Sequence, residues 1–358
     1  MGSVFGDKIK ISIFGESHGA GIGVVIDGLP AGEQIDLDEV NRQMQRRAPG
    51  GGKYSTPRKE ADVPQIMSGM IGNKTTGAPL CAVIYNTNTR SGDYGSVLNA
   101  PRPGHADYTA YVRYGGNNDI RGGGHFSGRL TANIVFAGAV CRQILKRRGV
   151  NIAAHIYSIG DVCDAPFDPV GIDEELITRL NGEKFAVVDT DIKEKMLDEI
   201  EKARMDCDSI GGTVECIVQG IPAGFGDPMF GGVENVISAA VFGVPAVKGI
   251  EFGSGFAGSR LRGSQNNDEF YYDEKGIVKT RTNRHGGALG GITSGMPIIF
   301  RAAMKPTPSI FREQNTVDIA EGKNTTLSIE GRHDPCIVPR AVSVIEGAVA
   351  IAVMNIMQ

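Results

Sequence analysis

Tryptophan is absent from this 358-residue chain, and aromatic residues of every kind make up only 6% of it. That argues against a lectin-like or base-stacking module, because such sites draw their affinity from large aromatic faces. An excess of one charge is also missing. The 37 Lys and Arg against 41 Asp and Glu leave a net charge of -4, so no global field recruits nucleic acid. The cysteines at 81, 141, 163, 207, 216 and 336 form no CxxC pair. No His/Cys/Asp constellation has metal-ligand spacing, which points away from a metal site. Thiols in apolar runs such as GAVCRQIL behave as small hydrophobes, and this implies reduced cysteines and a cytoplasmic protein. MGSVFGDKIK carries no signal-peptide core, and Gly6 stands where a myristoylation motif needs Ser or Thr. The most apolar stretch, AVSVIEGAVAIAVMNIM, is broken by Glu346 and preceded by Arg340, so it reads as a core helix and no membrane partner is expected.

Glycine is what the chain has in excess. Its 50 residues are about twice the average share of roughly 7%, and no repeat or Gly-Ser tract absorbs them. They mark loops where backbone approaches something closely. KIKISIF alternates and is followed by GVVIDGLP; PQIMSGMI and PLCAVIYN make a second pair of strands. DLDEVNRQMQRR predicts a short amphipathic helix with Asp36 as N-cap. The spacing also predicts a long buried helix over 127–149, capped by Ser127 and ended at Gly149, and a second over 336–357. GTVECIVQG, AVKGIEFG and MPIIFRAAM read as strands; KEKMLDEIEKARMD and VENVISAAVFG read as helices. Strands precede helices in two rounds without a polar linker. The expectation is one α+β domain over 1–358 with buried central helices, a two-domain division being the alternative.

Chemistry-bearing residues gather in a few stretches. FGESHG contains Gly15, Ser17 and Gly19 in the G-x-S-x-G spacing of a nucleophile elbow, with His18 beside the serine. An elbow needs a helix directly after the serine, and GAGIGVVIDGLP is glycine-interrupted and β-branched, so the string is taken as a coincidence. RQMQRRAPGGGKYSTPRK places Arg42, Arg46, Arg47, Lys53, Arg58 and Lys59 around PGGG without an acid, either an anion site or a solvated basic loop. It is no Walker A loop, and no cluster gives a Rossmann fingerprint. RPGHADYT fixes His105 between Arg102 and Asp107, suited to proton transfer or to capping the next helix. RGGGHFSGR brings glycines, Ser127 and Arg129 to a helix start, a cradle for phosphate or carboxylate. MKPTPS supplies Lys305, Thr307 and Ser309, and GRHDPC supplies Arg332, His333 and Asp334. Together these describe a site for a small, multiply anionic, phosphorylated substrate.

FGESHG, RPGHADYT, GGG-x-x-S-G-R, LRGSQNNDE, GGxxGGITSG, KPTPS and GRHDPC stand in the order found in chorismate synthases, and the chain resembles that family along essentially its whole length. The resemblance implies a single-domain β-α-β sandwich: two antiparallel sheets enclosing long buried helices, with internal pseudo-twofold symmetry, assembled as a homotetramer. It implies a lyase that removes phosphate and a ring proton from 5-enolpyruvylshikimate 3-phosphate by anti-1,4-elimination, giving chorismate in the shikimate pathway of aromatic amino-acid biosynthesis. Reduced FMN is required without net redox change, and NADPH only if the protein reduces its own flavin. By the same resemblance His18 sits by the leaving phosphate with Ser17 positioning it. His105 serves the reduced flavin, and Asp334 works in ring-proton removal. Arg47, Lys53, Arg102, Arg129 and Arg332 surround substrate anions, Arg332 also touching the cofactor. His125, Phe126, Ser127, Pro245, Ala246, Gly290, Lys305, Pro306, Thr307, Pro308 and Ser309 fall at flavin-contacting positions. Departures from the family pattern bear on single flavin contacts: His125 stands for an arginine, Phe126 and Gly128 for Ser and Ala, Pro245 for an asparagine, and Pro308 for a serine. Lys53 likewise stands for an arginine. Two other classes share the arginines and histidines: a flavin-free lyase or transferase acting on a phosphorylated carboxylic acid, and a nucleotide-binding regulatory protein.

Overall fold

Alternating strands and glycine turns build a first antiparallel sheet in the order Val4–Phe5, Lys10–Gly15, Gly21–Asp27, Leu80–Tyr85, Gln65–Ser68. A second antiparallel sheet runs Val247–Phe252, Ile298–Met304, Gly212–Gln219, Asn151–Ile159, Val162–Cys163. The computed structural model describes residues 2–50, 62–86, 99–329 and 334–358. Lys53, Arg58, Lys59, Arg332 and His333 therefore lie outside the described residues.

The predicted strands recur with boundaries shifted by a residue or two, and the mixture of helix and antiparallel sheet is α+β. The strand Asn151–Ile159 carries no alternating pattern in its sequence. Its residues are almost all buried, on both faces of the strand, so they show a nearly continuous apolar run instead of alternation. Asp36 caps the helix Leu37–Arg47 as expected, accepting from the amides of Asp38 and Glu39.

The long helix begins later than its pattern predicts. Ser127 caps a 3-10 turn, Gly128–Leu130, and the central α-helix runs Thr131–Arg147. The Gly128 carbonyl accepts the Thr131 amide in the 3-10 turn and also the Thr131 hydroxyl at 2.5 Å and Arg47 at 2.8 Å, which holds the tighter turn ahead of the α-helix. The C-terminal helix, Val338–Ile356, has the length and apolarity of a membrane span, but 89% of that window is buried inside the protein. Glu346 in its middle is fully buried and lies 2.5 Å from Arg46 and 2.9 Å from Arg142.

Central and C-terminal helices pack on one another; the first reaches both sheets and the second packs on Asn151–Ile159 and Gly212–Gln219. They meet at glycine. A Cβ built on Gly138 would stand 2.1 Å from Gly347 Cα, so the backbones approach as closely as backbones can. Gly138→Ala should therefore lower stability by about 1–3 kcal/mol through overpacking. A denaturation midpoint equal to that of the unsubstituted protein would mean that the helices do not cross there.

Candidate active site

After Gly15 the chain turns through FGESHG and returns at once as the strand Gly21–Asp27. No helix follows Ser17, and the elbow reading fails on that ground. The buried Ser17 donates its amide to the Gly124 carbonyl at 3.1 Å and its hydroxyl to the Arg121 carbonyl at 3.0 Å. With that proton committed, Ser17 Oγ accepts from His18 Nδ1, 3.3 Å away. Serine here orients an imidazole.

Gly122, Gly123 and Gly124 have φ of 60, 85 and 52°, three left-handed residues in succession that only glycine adopts cheaply. A Cβ on Gly122 would stand 2.3 Å from the His18 ring; one on Gly123 would stand 3.2 Å from His105 Cε1 and Nε2. Consecutive backbone units thus touch both histidines, and this loop brings them into one site. Arg121 beside it is exposed and pairs with Asp119 at 2.8 Å.

His105 does not cap the helix Asp107–Tyr114, whose N-cap is Ala106. Its Nδ1 lies 2.6 Å from Asp107 Oδ1, which fixes a proton on Nδ1 and presents Nε2 to Gly123. Burial would push the Asp107 carboxyl up, but hydrogen bonds from Arg102 and His105 outweigh it and hold it well below the usual range. Arg102 grips that carboxylate through Nε at 2.7 Å and Nη2 at 2.8 Å, and reaches Ser309 Oγ through Nη1 at 3.3 Å. As placed, Arg102 positions His105 and the Ser309 loop.

A second cluster lies beside the first. Arg47 and Arg129, both buried, converge on the carboxylate of Asp62, Arg47 at 2.8 Å. Asp62 thus holds the two guanidinium groups side by side. Arg129 Nε donates at 2.9 Å to Asn86, whose amide nitrogen donates to the Glu16 and Gly19 carbonyls of the FGESHG turn. Asn86 therefore ties the arginine pair to the histidine turn. Asp334, buried ahead of the C-terminal helix, pairs at 2.5 Å with Arg340, which also donates to the Arg47 carbonyl at 2.9 Å. It does not cap that helix, whose N-cap is Ile337, without a side-chain bond.

The KPTPS loop closes on the His105 side. Lys305 donates to the Gly104 carbonyl, and its own amide bonds to the Ala246 carbonyl at 2.9 Å. Burial, and then the field of Lys248, lowers the Lys305 pKa. Ala246 holds a left-handed φ of 76°, a conformation that costs an ordinary residue roughly 1–2 kcal/mol. The Thr307 hydroxyl is buried without a hydrogen-bond partner among the described residues. An unsatisfied hydroxyl beside a lysine and a strained turn suits a bound polar cofactor.

A sequence profile described as chorismate synthase matches residues 9–358. The chain belongs to the chorismate synthase family. It is 45% identical over 350 residues to the chorismate synthase of Thermococcus kodakarensis, covering 98% of this chain and 96% of that protein. With the chorismate synthase of Synechocystis it shares 45% over 358 residues, covering 99% and 97%. A crystal structure of a chorismate synthase superposes with a TM-score of 0.76 at 25% identity, covering 98% of this chain and 92% of that one.

Within this chorismate synthase-family chain the folding joins Ser17, His18, His105, Arg102, Lys305 and Ser309 to Arg47 and Arg129 through hydrogen bonds and the glycine loop. Other expected positions stand at its margins. His125 is held by the Gly15 carbonyl at 2.8 Å and Ser3 Oγ at 2.7 Å. Phe126 faces Tyr114, ring centroids 6.4 Å apart. Pro306 packs at Gly211 and Pro308 at Gly104. Pro245 is exposed, and Gly290 is exposed in a turn with nothing within 4 Å of its Cβ position. The basic stretch is not uncompensated: Arg42 pairs with Glu39, Arg46 with Glu346 and Arg47 with Asp62, so of the three only Arg47 turns toward the site. Asp62, Asn86 and Arg340 carry no signal in the sequence: Asp62 and Asn86 meet Arg129 from remote stretches, and Arg340 joins nearby Asp334 to the distant Arg47 carbonyl.

Two outcomes check this geometry. A fluorophosphonate probe should leave Ser17 unmodified, and stoichiometric label there would refute the assignment of its proton. Asp107, its pKa depressed in the folded state, adds stability that is complete above the unfolded value of about 4 and lost as pH falls below it. Asp107→Asn should flatten the acid limb of the stability curve, whereas an unchanged limb would remove the Asp107–Arg102–His105 contacts from the account.

Proposed function

We propose that this protein converts 5-enolpyruvylshikimate 3-phosphate to chorismate and inorganic phosphate by anti-1,4-elimination in the shikimate pathway. The observation that carries the reading is two imidazoles set on consecutive glycines beside a buried pair of arginines. An allylic phosphate leaves with its bonding electrons and needs charge neutralisation as it goes, which prearranged guanidinium groups and a proton donor supply. His18, oriented through Nδ1 by Ser17, donates the proton that the leaving phosphate takes. Arg47 and Arg129, set side by side on Asp62, hold the anionic groups. Asp334, steadied by Arg340, accepts the ring proton. His105 moves a proton at Nε2 while Asp107 holds Nδ1.

Reduced FMN would be held by the Lys305–Ser309 loop, Pro245–Ala246 and Ser127, supplying an electron-rich ring system without net redox change. The unpartnered Thr307 hydroxyl supports that assignment. The same reading carries a single-domain β-α-β sandwich with pseudo-twofold symmetry, supported by the two glycine-crossed helices and the two antiparallel sheets they reach. It also carries a homotetramer, for which the exposed Met229, Phe230 and Phe256 offer apolar surface, and a cytoplasmic location, in keeping with six free cysteines.

Anaerobic incubation with substrate and reduced FMN should yield chorismate and phosphate in equal amounts; phosphate without chorismate would refute the elimination. Asp334→Asn keeps an acceptor for Arg340 and removes the base, so turnover should fall at least about a hundredfold with substrate binding retained. Near-normal turnover would assign the ring proton to another group. Arg129→Lys should weaken substrate binding about ten- to a hundredfold, since lysine cannot reproduce a forked contact worth roughly 1.5–3 kcal/mol. An unchanged dissociation constant would remove Arg129 from the anion site.

A further inference from the structure

Asp268, His285 and Ser294 form a hydrogen-bonded line that the elimination does not use. His285 Nδ1 lies 2.5 Å from Asp268 Oδ2, and its Nε2 lies 2.8 Å from Ser294 Oγ. The carboxylate also accepts from the Thr282 hydroxyl at 2.5 Å and from the amides of Arg284 and His285, each at 2.9 Å. Burial raises the Asp268 carboxyl, but bonds from Thr282, the Arg284 amide and His285 outweigh it and hold it at about 2. An ionised carboxylate only accepts, so Nδ1 carries the proton and Nε2 is the basic nitrogen facing the serine. The Met296 amide donates to Ser294 Oγ at 3.3 Å, which fills a lone pair and leaves the hydroxyl proton directed to Nε2.

The placement is that of a working nucleophile. The Asp268 and His285 side chains are 5% and 7% exposed, while Ser294 is half-buried at the end of the hairpin Ala288–Leu289/Ile292–Thr293. Gly295 directly follows it with φ of 84°, and its amide has no hydrogen-bond partner among the described residues. The amide after a nucleophilic serine is a natural oxyanion donor.

We propose that Ser294, His285 and Asp268 form a second, nucleophilic centre that hydrolyses small carboxylic esters. Ser294 Oγ bonds to the acyl carbon as its proton passes to His285 Nε2. The acyl–oxygen bond to the alcohol breaks, and the alkoxide takes that proton. Water, deprotonated by Nε2, attacks the acyl-serine and releases the carboxylic acid, restoring the serine. Ester and water enter; alcohol and acid leave. Asp268 remains a carboxylate throughout.

The full-length protein treated with a fluorophosphonate probe and mapped by peptide mass should carry label at Ser294, and it should hydrolyse p-nitrophenyl acetate. Ser294→Ala should abolish both while thermal unfolding and chorismate formation stay as they were. His285→Gln, which keeps a polar group against Asp268, should slow labelling at least about a hundredfold. No label at Ser294 in the folded protein, or a labelling rate untouched by His285→Gln, would show that the three side chains merely fasten loops.

Discussion

Three left-handed glycines, Gly122 to Gly124, are the constraint on which the candidate site rests, because their backbone runs where no side chain fits. Any Cβ on Gly122 would displace His18, and one on Gly124 would stand 2.0 Å from the Asp119 carbonyl oxygen. The Gly124 carbonyl takes the Ser17 amide, so the loop and the FGESHG turn hold each other. A few residues on, the same chain becomes the capped turn that carries Arg129 and then Thr131, whose hydroxyl accepts from Arg47 at 3.2 Å. Histidines and arginines are thus placed by one short segment.

Buried charge is the second theme. Arg46, Arg47, Arg102 and Arg129 each meet a carboxylate that is itself buried. Removing one partner from such a pair typically costs about 3–5 kcal/mol, because the other charge is left in a dry place. The division of labour differs. Glu346, held by Arg46 and Arg142, fastens helices, whereas Asp62 holds Arg47 and Arg129 together beside the histidine turn. Arg46 and Arg47 are neighbours in sequence and part company by the rotation of one helical residue.

Much of this was legible in the residues alone, for physical reasons. Alternation in KISIFG, the Asp36 cap and the buried character of both long helices are local signals, and the structure keeps them. What was illegible is pairing across distance. Nothing near Arg46 tells that its counter-ion stands at position 346, and the acids that compensate the basic stretch are remote in sequence or hidden in its own helix, as Glu39 is for Arg42. Asn86 and Arg340 carry no motif; their importance lies in what they touch. The serine strings are instructive as a pair. Ser17 has the spacing of an elbow and spends its proton on a carbonyl, while Ser294 has no such spacing and faces an imidazole.

The proposed function rests on glycine-ordered histidines and paired arginines that hold a phosphorylated substrate beside reduced flavin. Visible absorption of the protein with FMN and dithionite, recorded with and without 5-enolpyruvylshikimate 3-phosphate, tests it most directly. Substrate should change the spectrum of the protein-bound reduced flavin, and the change should decay as chorismate forms. A reduced-flavin spectrum indifferent to substrate while chorismate accumulates would contradict it.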